Sequence, residues 1–345
     1  MKDKEKRTRI NYGWILRQYF REIKQIPETY FKKKRDYQSD VDKWWRQHLD
    51  EVPKTRNTKL AIVRGLLEDN DVVFGKKYWL KLRKKRKGSR AATLDRVPTQ
   101  SEFKTMLMHG DVKDKSLFLF TMSSGMRIDE VLKLKITMVD LKHDPPMVKI
   151  PGNITKNGDP RTTFISQEAK AYLEEWLKIR KSYIRTAIKK TGHITKKDVN
   201  DDTLFPFSYD VAWTSWNRLL RKAKLDDKDP TTNRYVLHIH CLRKYFLSQM
   251  KLSIPAVIPE ALAGHEQYLD EAYQRYTIEQ LGEYYKRGEQ KITILESLPD
   301  LTGVHELLKE KDHQIQKQSE EIQDLRNQMQ KLMVEVLTMK DKEKK

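Results

Sequence analysis

The sequence predicts a mainly α-helical protein with one small β-sheet, an α+β chain in three regions. Three observations carry this. Residues 1 to 92 hold helix-length apolar patterns with few breakers. One stretch, "MVKIPGNITKNGDPRTTFIS", sets β-branched residues around Asn-Gly and Asp-Pro, the composition of a hairpin or small sheet. Near the C-terminus, Leu308, Ile315, Ile322, Met329 and Val336 recur every seven residues. Leu325, Leu332 and Met339 follow the last three of these at the spacing of an a/d coiled-coil seam. The regions are a helical domain over 1–92, a mixed domain over 93–295, and a coiled-coil tail over 302–342.

Each element has its own signal. "SDVDKWWRQHL" opens on a Ser-Asp cap, and "TRNTKLAIVRGLLEDNDV" on a Thr/Asn cap ahead of Leu60, Val63, Leu66 and Leu67. Seven of the ten residues from Lys81 to Arg90 are basic: Lys81, Arg83, Lys84, Lys85, Arg86, Lys87 and Arg90. Such a run, ending in Gly-Ser, suits a linker or helix end lying on phosphates; a solvated charge run is the bland alternative, and the overall charge favours DNA contact. Thr99, with Glu102 three residues on, predicts a capping box that restarts order after a boundary near residue 95. Ser166 caps the helix that runs through "QEAKAYLEEWLKIRKSYI". "KKTGHITKKDVNDDT" is polar and reads as a loop. The tail needs a partner helix, either a second copy or another protein.

Composition narrows the function class. The formal charge is +20 over 345 residues, and the pI is about 9.6. A balance that positive points to a polyanion, with nucleic acid ahead of an anionic membrane surface. No apolar run approaches bilayer-spanning length, so no membrane partner is expected. Cys241 is the single cysteine, which leaves no intrachain disulfide and no cysteine-based zinc site. The expected setting is intracellular, cytoplasmic and DNA-associated.

Four segments carry side chains suited to phosphate chemistry. In "SSGMRIDEVLKLK", Gly125 permits a tight turn and Arg127 falls at a helix start. A forked guanidinium beside free backbone N–H groups grips phosphate oxygens there. Glu130, one turn on, could hold Arg127, although such a pair is more often a surface salt bridge. Ile128, Val131 and Leu134 would line that helix's inner side. In "HIHCLRKYFLSQM", His240 and Arg243 share one helical face, which couples charge neutralisation to proton transfer. His238 is the more ordinary residue. In "ITKNGDPRT", Lys156 sits beside the Asn-Gly turn, where a general acid could reach a leaving oxygen. "AGHEQYLDEAYQRYT" adds His265 and three tyrosines, Tyr268, Tyr273 and Tyr276. Any one of these is more often structural; the ordered set Arg, Lys, His-x-x-Arg, Gly-His, Tyr is the stronger signal.

That ordered set resembles the tyrosine recombinase, or phage-type integrase, family over residues 95 to 285. "SSGMRIDEVL" is similar to the first-arginine box, "TKNGDPRT" to the hairpin lysine, "HCLRK" to the His-x-x-Arg box, and "AGH" with a downstream tyrosine to the last box. The "GHEQYLDEAYQRYT" segment and "LGEYYKRGEQKITI" look most like archaeal integrases. The resemblance implies a helical core-binding domain ahead of the catalytic domain. It also implies transesterification through a 3′-phosphotyrosyl link, with no cofactor and no metal, and tetramers on double-stranded DNA. By position it assigns Arg127, Arg243 and His265 to the phosphate, Lys156 to the leaving 5′-oxygen, His240 to proton transfer and Glu130 to support of Arg127. The place where the family usually keeps its nucleophile is Gln274, so Tyr273 and Tyr276 both stand as candidates, and relatives keeping the tyrosine aligned with Tyr273 favour it. Two other readings compete: a non-catalytic DNA-binding or architectural protein on the same fold, and a type IB-like topoisomerase.

Overall fold

Proline and aspartate, rather than the serine and threonine that the sequence suggests, set the helix starts of the N-terminal region. The computed structural model describes residues 6–32, 34–84, 93–191, 198, 200–264, 276–295, 321 and 329. Helix α1 spans Lys6–Glu22 and α2 Pro27–Tyr30. Helix α3, Tyr37–Gln47, starts before the expected Ser-Asp cap: Asp36 is the N-cap and accepts from Ser39 N at 2.9 Å. Asp40 is instead buried, taking hydrogen bonds from Tyr30 Oη (3.0 Å) and from Arg35. Helix α4, Pro53–Glu68, likewise begins ahead of its predicted Thr/Asn cap. Pro53 at the first turn has the fixed φ a helix start favours, and its missing N–H is not needed there. Thr58 then sits inside the helix, donating to Lys54 O at 3.0 Å. Helix α5 is Lys76–Lys84.

These helices form one unit, residues Met1–Asp95 together with Lys228–Val236. Its core is aromatic: Tyr19, Trp44, Trp45 and Trp79 around Leu60, Val63 and Leu67. The 228–236 segment turns on Asp229, whose carboxylate accepts from the backbone N–H groups of Leu94, Thr231 and Thr232 at 2.8–2.9 Å.

The second unit is Arg96–Asp227 with Leu237–Lys345. Helix α6, Gln100–Met108, opens with the expected Thr99–Glu102 capping box. Helix α7, Val112–Ser124, is buried along almost its whole length, which is why its sequence shows no helical periodicity. Helix α8 is a single turn, Ile128–Val131, so the longer helix expected to include Leu134 does not form. Leu134 is buried beyond it, its carbonyl taken by Leu204 N. The sheet is antiparallel in the order β1-β2-β3: β1 Val139–Asp140, β2 Met147–Ile150 and β3 Arg161–Phe164. Ile150 pairs with Arg161 and Met147 with Phe164. Four further helices follow: α9 Gln167–Thr191, α10 Tyr209–Lys222, α11 His240–Met250 and α12 Val257–Ala263.

Helix α13, Ile278–Ile292, lies against α7 and α11. The buried Tyr285 donates to Ser123 O at 2.9 Å. A Cβ on Gly288 would come within 2.6 Å of Met250 Sδ, so a side chain there would push the Met250 thioether aside. The start of α9 and the end of α13 clasp each other: Glu289 Oε1 accepts from Gln167 N at 2.6 Å, and Glu168 accepts from Ile294 N at 3.0 Å and from Leu295 N. Burial pushes the Glu168 carboxyl up to about 7 and raises Glu289 as well. No helix among the described residues is long and apolar enough to cross a membrane. The predicted heptad tail lies outside the described residues, save for Glu321 and Met329.

Candidate active site

Three chain turns converge on one cationic cluster. The first follows α7, which ends at Gly125 with φ +64°. A side chain there would be strained and would run into the Phe246 ring. The turn presents Arg127 as the N-cap of α8. Glu130 holds it twice: Oε2 accepts from Arg127 N at 3.2 Å and Oε1 from Arg127 Nη1 at 3.1 Å. Glu130 is 2% exposed, so this is not a surface ion pair. Burial alone would raise its pKa. The hydrogen bond and charge of Arg161, then Arg127, outweigh burial and hold the carboxyl below its usual range.

The second turn is the start of α11. Arg243 is buried, and its Nη1 donates to Gly125 O at 2.8 Å and to Ala263 O. These carbonyls lie at the C-terminal ends of α7 and α12, which need donors. Arg243 Nε and Nη2 are buried with no acceptor among the described residues. A buried guanidinium with open donors is costly unless a ligand supplies the acceptors. Burial first, then the charges of Arg127 and Arg161, push its pKa down to about 9, which still leaves it charged at neutral pH.

His240 is the first residue of α11, its ring parallel to that of His238. Desolvation leads the lowering of its pKa to about 4, followed by Arg243, His238, Lys244 and Arg127. Arg243, Lys244 and Arg127 act in the same direction as burial. The imidazole is neutral at pH 7 and able to accept a proton. The free protein is expected to show His240 titrating below 6.5 in imidazole NMR. Adding inorganic phosphate should move that midpoint upward, because an anion at the cluster favours the charged ring.

The third turn brings in a residue that sequence reasoning missed. Arg161, at the start of β3, donates from Nη2 to Glu130 Oε2 at 2.5 Å and from Nε to Leu262 O at 3.3 Å. Gly264 closes α12 with φ +76°, and a Cβ on it would lie 2.9 Å from Arg161 Cδ and Nε. The glycine of the Gly-His pair therefore makes room for this guanidinium. The only advance signal was the basic residue in "DPRTT", which reads as an ordinary strand residue.

Of the predicted residues, Arg127, Glu130, His240 and Arg243 come together. Lys156 is exposed on the loop joining β2 to β3 and forms no hydrogen bond or ion pair among the described residues. That loop is closed on itself: Thr155 Oγ1 donates to Gly152 O at 2.9 Å and accepts from Gly158 N at 3.1 Å. Tyr276 packs edge-on against Tyr284 at 5.9 Å, beside the core. His265, Tyr268 and Tyr273 lie outside the described residues. Of the basic run, Lys81 and Arg83 are exposed on α5 and Lys84 ends it; Lys85, Arg86, Lys87 and Arg90 lie outside the described residues.

Fold and cluster together define a helical domain with a small sheet that gathers arginines at one site, Arg243 with open donors. The sequence model of the phage integrase family matches residues 96–280, more than half of the chain. The chain belongs to that family. It is 26% identical over 155 residues to the tyrosine recombinase XerA of Saccharolobus solfataricus, a match covering 45% of this chain and 42% of the relative, so less than half of that curated protein's length is matched. Its fold is similar to that of the Tn1549 transposon integrase in complex with transposon right end DNA (TM-score 0.55, 14% identity, 83% of this chain and 94% of that one). It is similar also to a lambda integrase dimer bound to a COC' core site (TM-score 0.52, 12% identity, 80% and 75%). A lambda integrase tetramer bound to a Holliday junction matches at TM-score 0.51, 12% identity, over 80% and 76%.

Proposed function

We propose that the chain is a site-specific DNA recombinase or integrase that cuts and rejoins double-stranded DNA through a 3′-phosphotyrosyl intermediate. The observation that carries this reading is Arg243: a buried guanidinium with two open donors, a few residues from a neutral histidine and facing the Arg127 turn. Phosphoryl transfer asks mainly for positioning and charge stabilisation. Arg127 and Arg243 bind the non-bridging oxygens. The Tyr273 oxygen attacks phosphorus and passes its proton to His240. The bond to the 5′-oxygen breaks, and Lys156 protonates that oxygen. His265 donates to the phosphate. The freed 5′-hydroxyl of a partner strand reverses the step and restores the tyrosine. Covalent storage of the phosphodiester keeps the reaction balanced without an external energy source.

Residues 1–92 serve as the core-binding domain, with the Lys81–Arg90 run on backbone phosphates, and 93–295 as the catalytic domain. Solved relatives are bound to DNA as dimers and tetramers, which supports a multimer of this chain on DNA. The test is a nicked DNA substrate whose short 5′-ended product diffuses away after cleavage. A covalent protein–DNA adduct is expected, and strand exchange between two sites separates recombination from simple relaxation. Absence of any adduct would leave only the DNA-binding alternative. The 302–342 tail forms a coiled coil in this reading. Its deletion is expected to lower the assembly mass by light scattering while leaving adduct formation intact; an unchanged mass counts against it.

A further inference from the structure

We infer that Arg161 is a positioning residue that locks the lysine-bearing hairpin, the first-arginine turn and the Gly264 turn into one arrangement. This rests on the recombinase reading. Arg161 opens β3, five residues after Lys156 on the same hairpin, and its backbone is fixed by pairing with Ile150. Its guanidinium reaches both oxygens of Glu130, at 2.5 and 3.5 Å. The same group reaches Leu262 O at 3.3 Å, on the last turn before Gly264. One planar group thus spans three segments that are far apart in sequence.

The arrangement is specific to arginine at 161 and glycine at 264. A lysine offers one point charge, and could not serve Glu130 and the Leu262 carbonyl in the same fork. The αL glycine places no Cβ where the Arg161 side chain runs. The contact also decides the state of Glu130. Arg127 faces Glu130 from its own turn, Arg161 from β3, and Arg243 acts on the same cluster from α11. Of these, Arg161 contributes most to keeping the buried carboxylate ionised. Without it, the largest opposition to burial is gone, so Glu130 takes up a proton at higher pH and its hold on Arg127 weakens. Arg161 therefore acts through Arg127 and the hairpin rather than on the phosphate itself.

The experiment measures the rate of adduct formation on the nicked substrate with the full chain. It compares wild type, Arg161→Ala, Arg161→Lys, Glu130→Gln and the Arg161→Ala/Glu130→Gln double variant, with a melting temperature for each. Arg161→Ala is expected to slow cleavage about a hundredfold, the scale of a misplaced reacting group, and Arg161→Lys less so. The double variant should be no slower than the worse single one, because both remove the same contact. The acid limb of the Arg161→Ala rate–pH profile should lie at higher pH than that of wild type. An Arg161→Ala rate within about threefold of wild type, or multiplicative losses with an unmoved acid limb, would overturn the inference. If Arg161→Ala does not fold, Arg161→Lys and Glu130→Gln decide by the same criteria. If wild type forms no adduct, the recombinase reading fails. Orthovanadate binding to the protein then decides the positioning role alone: weaker binding by Arg161→Lys supports it, and equal binding overturns it.

Discussion

Tyr273→Phe is expected to abolish the covalent DNA adduct, while Tyr276→Phe retains most of it. In the proposed reaction the Tyr273 hydroxyl is the attacking group, so its removal makes the loss complete rather than graded. The two tyrosines are otherwise hard to separate, since they flank Gln274 by one and two positions. The surroundings of Tyr276 distinguish them. It stands immediately before the Thr277 N-cap of α13, edge-on to Tyr284 and packed beside the core. That setting suits an anchor for the helix better than an attacking group. The outcome is read on a denaturing gel as a DNA-linked band. An adduct lost in Tyr276→Phe and kept in Tyr273→Phe would transfer the role to Tyr276.

Arg243→Ala is expected to lower the cleavage rate on the order of a thousandfold or more, the range measured for arginines that stabilise phosphoryl-transfer transition states. Its donors divide into two sets. Nη1 serves the carbonyls of Gly125 and Ala263, while Nε and Nη2 have no acceptor among the described residues. Arg243→Lys should not restore the rate, because one ammonium cannot brace both helix ends and still present two parallel N–H groups to a phosphate. DNA binding measured by anisotropy at fixed salt should weaken far less, since affinity for the duplex is spread over many backbone contacts. Rates for Arg243→Ala within tenfold of wild type would remove Arg243 from the reacting centre, tenfold being about 1.4 kcal/mol of barrier.

Much of the larger unit was legible because its signals are local. The Thr99–Glu102 box, the Asn-Gly hairpin and the His-x-x-Arg face each depend on residues within one turn or one loop. Arg161 was not legible, because its meaning lies in Leu262 and Glu130, 101 and 31 positions away. Gly264 could be read as a helix terminator but not as the space that Arg161 occupies. The starts of α3 and α4 were misjudged for a related reason. Ser39 and Thr58 have the chemistry of caps, yet Asp36 and Pro53 act one turn earlier and leave them inside their helices. Arg127 and Glu130 looked like an ordinary helix pair, and only burial separates them from one.

The reciprocal clasp of Glu168 and Glu289 bears on where the chain may be cut. Ile294 and Leu295 are buried, and their N–H groups satisfy a carboxyl that has no other backbone donor among the described residues. The packed part of the chain that bears the arginine cluster therefore includes Ile294 and Leu295, beyond the last turn of α13. A fragment ending at residue 295 keeps both halves of the clasp. One ending at Ile292 would strip Glu168 of both donors and open an apolar slot beside α13. Fragment boundaries for crystallisation, and fusion points for a replacement tail, belong after Leu295.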